Sequence, residues 1–132
     1  RMDKKVDVKK LQFGSKIDSS EAKRENLFTV KKVISPDKIE LSNGLVVRLL
    51  GVKEKLEHSS QAIEFLQGKF NKRKVFLKYD SIKYDSNNVL MCYVYLDNKT
   101  FVNNHLVRTG YVDVDTTFEY SCKKKFLNSL PN

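Results

Sequence analysis

The feature that most constrains the fold of this chain is the stretch from Phe28 to Val52, FTVKKVISPDKIELSNGLVVRLLGV. Apolar and polar residues alternate through much of it, and two turn signals interrupt it, Ser35-Pro36-Asp37 and Asn43-Gly44. Asn-Gly between apolar runs is a strong hairpin signal, because both residues tolerate a positive φ. The stretch therefore predicts three consecutive strands, which cover residues 28–34, 37–42 and 45–52.

One charged residue, Arg48, lies inside the apolar run of the third predicted strand. A charge in such a place is costly unless a partner neutralises it. Two interpretations are open. Arg48 is either a structural residue held by a carboxylate such as Asp37 or Glu40, or a residue kept to meet a phosphate. We favour the first, and the second keeps Arg48 among the candidate binding residues.

Helical and strand patterns alternate downstream. Ser59 or Ser60 can cap a helix with apolar residues at helical spacing, and a strand then covers 75–79 with Lys78 facing outward. A loop at 85–88 precedes a fifth strand at 89–96, which returns through Phe101. Asn103 can cap a second helix that ends at Gly110. A third helix is predicted at about 117–129, with its apolar face formed by Phe118, Cys122, Phe126 and Leu130.

This order of elements predicts an α+β fold that is mainly β. Five strands with a helix between the third and the fourth are typical of a five-stranded OB-type Greek-key barrel, here with three helices. Residues 1–26 are polar and lysine-rich, which predicts a basic arm or linker, with a disordered tag as the alternative. Residues 27–132 form the predicted barrel domain. Because the chain begins Arg1-Met2, we expect it to be a piece of a longer protein.

Charge is the main bias of the composition. The chain has 25 Lys and Arg against 16 Asp and Glu, which gives a net charge of +9 and a pI near 9.5. This balance favours nucleic acid or another polyanion as a partner, although a solvated lysine-rich surface would have the same composition. Two cysteines make neither a disulfide framework nor a zinc site. No apolar run has the length of a membrane span or a signal peptide, and we predict a cytoplasmic protein.

Several segments resemble the staphylococcal (thermonuclease-like) nuclease domain, in the same order and with compatible spacing. They include V-R-L-L-G-V at 47–52, C-Y-V-Y-L at 92–96 and the helical segment F-V-N-N-H-L-V-R-T-G-Y-V at 101–112. The resemblance spans about 28–127 and implies the same OB-type barrel. It also implies a calcium-dependent phosphodiesterase chemistry. In that chemistry two carboxylates hold the cation, a glutamate directs water and two arginines neutralise charge.

The ionic residues of that family are only partly present in this sequence. The resemblance places a metal-binding aspartate at Asp37 and the strand arginine at Arg48. It places Lys53 at the second carboxylate, Leu56 at the water-directing glutamate and Val89 at the second arginine. We therefore predict a degenerate site with no catalytic residue beyond the remnants Asp37 and Arg48, and no bound metal. In this interpretation the ammonium of Lys53 pairs with Asp37 where the cation would lie.

One alternative keeps catalysis. Glu54 and Glu57 have the three-residue spacing of the family's carboxylates, shifted by one position. If the loop slid by one residue, they could rebuild a metal site and the domain would be an active calcium-dependent nuclease. A third hypothesis is a protein-interaction scaffold, since catalytically inactive copies of this fold can serve that role.

The prediction is a non-catalytic nucleic-acid-binding module, with DNA as the expected partner. It would belong to a larger DNA-modifying protein such as a DNA methyltransferase. No cofactor is expected for these residues, and S-adenosylmethionine would be needed only by a parent methyltransferase. Tyr93, Tyr95 and Tyr111 could stack on bases or simply pack. The candidate binding residues are Lys31, Lys32, Arg48, Lys53, Lys55, Lys72, Arg73, Lys74 and Tyr84.

Overall fold

A computed structural model describes residues 27–131 of the chain, so the predicted arm at 1–26 lies outside the described residues. Five strands form a closed barrel in the order β1-β2-β3-β6-β5, and β4 pairs with β7 in a separate two-stranded sheet. The predicted mainly β, OB-type barrel with three helices is confirmed. The strands are β1 (Phe28–Ser35), β2 (Lys38–Leu41), β3 (Val46–Leu49), β4 (Val52–Glu54), β5 (Lys74–Lys78), β6 (Leu90–Leu96) and β7 (Val112–Val114). The helices are α1 (Ser59–Phe70), α2 (Val102–Thr109) and α3 (Lys123–Ser129), and a 3-10 turn at Leu56–His58 precedes α1.

Strand β1 bends to close the barrel. It pairs antiparallel with β2 from Val30 to Ser35 and with β5 at Phe28 and Thr29. Its register with β2 shifts twice, between Val30 and Lys32 and between Val33 and Ser35. Such irregularities bend a strand and increase its twist, which lets one strand bridge two neighbours. The first shift also leaves two consecutive lysines, Lys31 and Lys32, exposed on the outside.

The third predicted strand, 45–52, is wrong as a single element. Gly51 has a φ of 86°, which interrupts extended backbone, so β3 stays in the barrel while β4 leaves it. Strand β4 pairs with β7, a three-residue strand that the sequence analysis missed. A Cβ atom on Gly51 would lie 2.6 Å from a ring carbon of the buried Phe126. Glycine is needed here for both backbone conformation and space.

The hairpin between β2 and β3 is where Asn43-Gly44 predicts it, but the turn differs. Only Gly44 has a positive φ, of 90°. The Leu41 N–H donates to the Leu45 carbonyl at 2.8 Å, and the Gly44 N–H donates to the Leu41 carbonyl at 2.9 Å. The connection is therefore a three-residue loop with glycine in the left-handed position, and not a two-residue turn.

Helix α2 begins differently from the prediction. Asn103 does not cap it but is its second residue, fully buried. Its amide nitrogen donates to the Leu50 carbonyl at 2.9 Å, and its amide oxygen accepts from the Val94 N–H at 2.7 Å. The side chain thus ties α2 to the end of β3 and to β6. Gly110 ends the helix in the left-handed conformation, as predicted.

The first and third helices also depart from their predicted starts. Neither Ser59 nor Ser60 caps α1, and the Ser59 hydroxyl instead donates to Glu54 at 3.1 Å. Helix α3 begins at Lys123 and not near 117. The residues before it form turns, in which the Tyr120 hydroxyl donates to the Asp115 carbonyl at 2.6 Å. The four-residue spacing of Phe118 and Cys122 predicts a helix, but both residues lie in the folded connection before α3.

We expect Gly51→Ala to destabilise the domain by about 2–4 kcal/mol, because it adds backbone strain and overlaps Phe126. Urea unfolding of the variant measures this loss. The matched control is Gly68→Ala in α1, where an added Cβ atom meets nothing within 4 Å. The control should gain roughly 0.5–1 kcal/mol from higher helix propensity. Equal stability of the two variants would contradict the role given to Gly51.

Candidate functional site: a paired arginine and a separate basic groove

Arg48 lies on the outward side of β3, between the buried side chains of Val47 and Leu49. Three carboxylates surround its guanidinium. Nε is 3.5 Å from Asp37 Oδ2, Nη1 is 3.3 Å from Asp85 Oδ2 and Nη2 is 3.0 Å from Asp115 Oδ2. Arg48 is therefore paired with carboxylates, as the structural interpretation predicts, and Asp37 is among its partners. Only 19% of the Arg48 side chain is exposed.

The three carboxylates come from three different connections, and local hydrogen bonds fix each of them. Asp37 lies in the turn between β1 and β2 and accepts from the Ser35 hydroxyl at 2.7 Å. Asp85 accepts from the N–H groups of Asn87 and Val89, both at 2.9 Å, in the loop before β6. Asp115 directly follows β7 and accepts from the Thr117 hydroxyl at 2.6 Å. The positions of the carboxylates therefore do not depend on Arg48 alone.

Sequence reasoning missed Asp85 and Asp115 as partners of Arg48. Asp85 opens the loop Asp-Ser-Asn-Asn, whose composition indicated a turn and nothing more. Asp115 ends Val112-Asp-Val-Asp115, an alternation that could have indicated the short strand β7. Neither pattern shows that the two loops meet over β3.

Both missed carboxylates are ionised at neutral pH. Burial alone would raise the pKa of Asp85, but the N–H groups of Val89 and Asn87 and the Arg48 guanidinium outweigh it and leave this pKa below its usual range. Burial likewise opposes ionisation of Asp115. Hydrogen bonds from Thr117 and the charges of Arg48 and Lys53 lower the pKa of Asp115 overall. Three carboxylates against one guanidinium give the cluster a net negative charge.

The residues of this cluster do not fit a calcium ion, because a guanidinium lies where the carboxylates converge. Asp37 pairs with Arg48, so the expected Lys53–Asp37 ion pair is wrong. Leu56 is 82% exposed, and Val89 contributes only a backbone N–H to Asp85. Glu54 is hydrogen-bonded to Ser59. Between residues 27 and 131, no group of three or more His, Cys, Asp or Glu side chains could hold a metal ion.

A cavity of about 370 Å³ adjoins the cluster. Arg48, Lys53 and Tyr84 line it, which brings together three of the predicted binding residues. Asp85 and Asp115 line the same cavity, so its polar wall carries both signs of charge. This mixture does not make a surface that favours polyanions.

The other predicted cations meet elsewhere. Lys31 and Lys32 of β1 line a groove of about 480 Å³ together with Lys72, Arg73 and Lys74 from the connection between α1 and β5. None of the lining residues between 27 and 131 is acidic. Arg73 pairs with Asp97 at 3.2 Å, whereas no carboxylate in the described part of the chain forms an ion pair with the four lysines. Two basic runs that are 40 residues apart in the sequence thus form one positively charged surface.

Lys72 occupies an unusual backbone position at the edge of this groove. The Arg73 N–H donates to the Phe70 carbonyl at 3.1 Å, which closes a turn with Lys72 in its third position. Asn71 has φ −63° and ψ 117°, and Lys72 has φ 59°. This is the pattern of a type II turn, whose third position favours glycine. A lysine there is strained, and such strain often marks a functional residue.

The remaining candidates lie outside both regions. The Lys55 ammonium donates to the Gly110 carbonyl at 3.1 Å and lies 3.9 Å from the Asp113 carboxylate. Tyr93 is buried and its hydroxyl donates to Asp80 at 2.6 Å, so it packs and does not stack on a ligand. The Tyr111 ring is 6.1 Å from the His58 ring. These contacts stabilise the fold.

Sequence comparison agrees with this architecture. The model of the family described as staphylococcal nuclease homologue matches residues 15–130. The chain belongs to this family. A search of curated proteins found no match for it. Membership of the staphylococcal nuclease homologues indicates a function connected with nucleic acid. None of the helices between residues 27 and 131 is long and apolar enough to cross a membrane.

We expect Arg48→Met to destabilise the domain by about 2–4 kcal/mol at neutral pH, because it leaves three carboxylates without their counter-charge. The depressed pKa values of Asp85 and Asp115 stabilise the native state at neutral pH, and this contribution is lost as the pH falls through them. The difference between wild type and variant should therefore shrink in acid. Urea unfolding at about pH 7 and about pH 2.5 measures it, because the lower pH lies well below the ordinary aspartate pKa of about 3.9.

The control for this experiment is Arg73→Met. Within residues 27–131, Arg73 forms one ion pair, with Asp97, and 47% of its side chain is exposed. Its loss should cost less than about 1 kcal/mol. If Arg48→Met costs no more than Arg73→Met, the three carboxylates do not depend on Arg48.

Proposed function

We propose that this domain is a nucleic-acid-binding module without phosphodiesterase activity, and that DNA is its partner. The single observation that carries the proposal is the groove in which Lys31, Lys32, Lys72 and Lys74 converge, with no carboxylate among its lining residues in the described part of the chain. Lysines gathered along one groove neutralise backbone phosphates and release condensed counterions, which is the main source of sequence-independent affinity.

The backbone of the groove supports this assignment. The register shift in β1 leaves Lys31 and Lys32 exposed side by side, and Lys72 occupies a turn position that favours glycine. Other residues could occupy these positions at a lower free-energy cost. Both irregular backbone segments expose lysines. Such an arrangement is expected where a negatively charged ligand binds.

The absence of cleavage is proposed from the Arg48 cluster. Arg48 directs its donors to Asp37, Asp85 and Asp115, so it is not free to neutralise a phosphate in the way that the family's chemistry requires. Among the described residues no second arginine lines its cavity, and the position of the water-directing glutamate holds the exposed Leu56. We therefore assign binding to the groove and a structural role to Arg48.

A larger DNA-modifying protein as the setting of this module stays a prediction. So do its identification as a DNA methyltransferase and the need for S-adenosylmethionine. Binding to DNA can be tested on this chain without settling either.

We expect labelled duplex DNA to bind in a fluorescence-polarisation assay, with an affinity that falls steeply between about 50 and 200 mM salt. The double variant Lys31→Gln/Lys32→Gln should flatten the logarithmic salt dependence by about 1.8, the value for two lost phosphate contacts. Lys55→Gln/Lys83→Gln removes the same charge from residues that do not line the groove, and should leave the slope nearly unchanged.

Three results would contradict the proposal. Calcium-dependent cleavage in a parallel gel would show an active nuclease with a rearranged site. No binding at low salt would favour a protein-interaction scaffold. Equal effects of the two double variants would show that net charge matters and the groove does not.

We expect Lys72→Gly to stabilise the domain and weaken DNA binding together. Glycine relieves the left-handed strain, which should add about 0.5–1 kcal/mol to the unfolding free energy, while the lost charge flattens the salt dependence by about 0.9. Asn88→Gly is the matched control, because Asn88 has a φ of 66° and does not line the groove. It should leave DNA binding unchanged. Unchanged binding by Lys72→Gly would remove Lys72 from the contact surface.

A further inference from the structure

We propose that the outward face of β5 and β6 is a second contact region, which takes the bases of a single-stranded nucleic acid. This inference rests on the proposed function and specifies its substrate. We call the region the aromatic strip and define it by Phe76, Tyr95 and Phe101 with the lysines Lys78 and Lys99. It differs from the strand 2–3 face on which OB barrels commonly bind oligonucleotides.

Three aromatic rings in the strip are stacked in a row across the strands. Phe76 pairs with Tyr95 between β5 and β6, and Tyr95 forms a bridge with Phe101. The ring centres of Phe76 and Tyr95 are 5.2 Å apart at 8°, and those of Tyr95 and Phe101 are 4.5 Å apart at 7°. All three side chains are half-buried. A row of nearly parallel rings can be extended by one more planar ring, such as a nucleobase.

The two ends of the row differ. At one end Phe101 lies against Phe126, with ring centres 5.6 Å apart, and the Lys125 ammonium is 5.5 Å from the Phe101 ring centre. That end is covered by α3. At the other end, Phe76 and Tyr95 line a notch of about 160 Å³ together with Lys78 and Lys99. The notch is therefore the place where a base can join the row.

Lysines surround the notch in positions suited to a phosphate chain. Lys78 and Lys99 are exposed, and the Lys78 ammonium is 5.2 Å from the Tyr95 ring centre. Lys99 has a φ of 73°, so this lysine, like Lys72 in the groove, occupies a left-handed position that glycine or asparagine fills at lower cost. Both basic surfaces thus contain a lysine in the strained left-handed backbone conformation.

Strand β5 joins the strip to the groove. Lys74, Phe76 and Lys78 alternate with the inward-facing Val75 and share the outward face of the strand, about 7 Å apart from one to the next. Lys74 lines the groove, while Phe76 and Lys78 line the notch. The Asp97 N–H donates to the Lys74 carbonyl, and Arg73 neutralises the Asp97 carboxylate. A phosphate chain can follow this row from groove to notch.

The chemistry of the stacked aromatic rings indicates which form of nucleic acid binds the strip. In a duplex the base faces are covered by their neighbours, so a duplex can use the lysines but not the ring faces. A single strand can use both. The strip therefore specifies a single strand whose phosphates lie along Lys74 and Lys78 and whose base stacks on Phe76.

The test uses the full chain and three labelled probes of equal charge: a thymidine single strand, an abasic strand of the same length and a duplex with the same number of phosphates. We expect the base-bearing strand to bind about tenfold more tightly than the abasic strand, as one stacked base would give. Phe76→Leu should abolish this difference and leave duplex binding unchanged. Lys99→Gly should weaken binding of both single strands without loss of stability.

Tyr84→Leu is the matched control, because Tyr84 is an exposed aromatic residue in the cavity beside Arg48. It should leave the difference between the two single strands intact. If all three probes bind and the base-bearing and abasic strands bind equally, base stacking on the aromatic strip is contradicted, whereas phosphate binding in the groove is still supported. Loss of the difference in Tyr84→Leu and not in Phe76→Leu would also overturn it. No binding of any probe at low salt would overturn the proposed function itself.

Discussion

The guanidinium of Arg48 is the interaction on which one side of this barrel depends. It contacts Asp37 in the turn after β1, Asp85 in the loop before β6 and Asp115 after β7, so one side chain joins three connections to β3. A planar guanidinium with five donors can serve three carboxylates in different directions, which the compact ammonium of a lysine does less well. Each carboxylate is also held by hydrogen bonds within its own connection. Both the guanidinium and the carboxylates of the cluster are therefore fixed in position.

The same cluster is the basis of our proposal that this domain lacks the phosphodiesterase chemistry that the resemblance implies. Carboxylates that converge on a point can hold a cation or a guanidinium, and here they hold Arg48. The site then carries negative charge, although the whole chain carries +9. Positive charge is concentrated instead around the groove between β1 and β5, and no described residue lines both this groove and the Arg48 cavity. Net charge favours a polyanionic partner, which agrees with a family connected with nucleic acid, but net charge does not indicate which surface would meet that partner.

Local patterns predicted the elements well where one side of the chain is buried. The alternation in Ile39 to Leu41, the helical spacing of Ala62, Leu66 and Phe70, and Gly110 as a helix end all correspond to the structure. The predictions that were wrong concern residues with two local interpretations. Asn103 looks like a helix cap, yet its amide completes backbone hydrogen bonds of Leu50 and Val94 inside the core. A polar residue that satisfies distant backbone groups has no local signature.

The sequence by itself determined the order of the five barrel strands and the three helices, the family, and the presence of an arginine that needs a partner. Periodicity, turn residues and the cost of an unpaired charge are local properties, so they can be read along the chain. Only the tertiary structure decided that Arg48 meets Asp85 and Asp115, and that Lys31 and Lys32 share a groove with Lys72 to Lys74. Barrel closure brings those residues together, and closure depends on the bulges of β1 and the break at Gly51. The physical reason is that pairing across a closed barrel is set by register and twist, which no short stretch of sequence specifies.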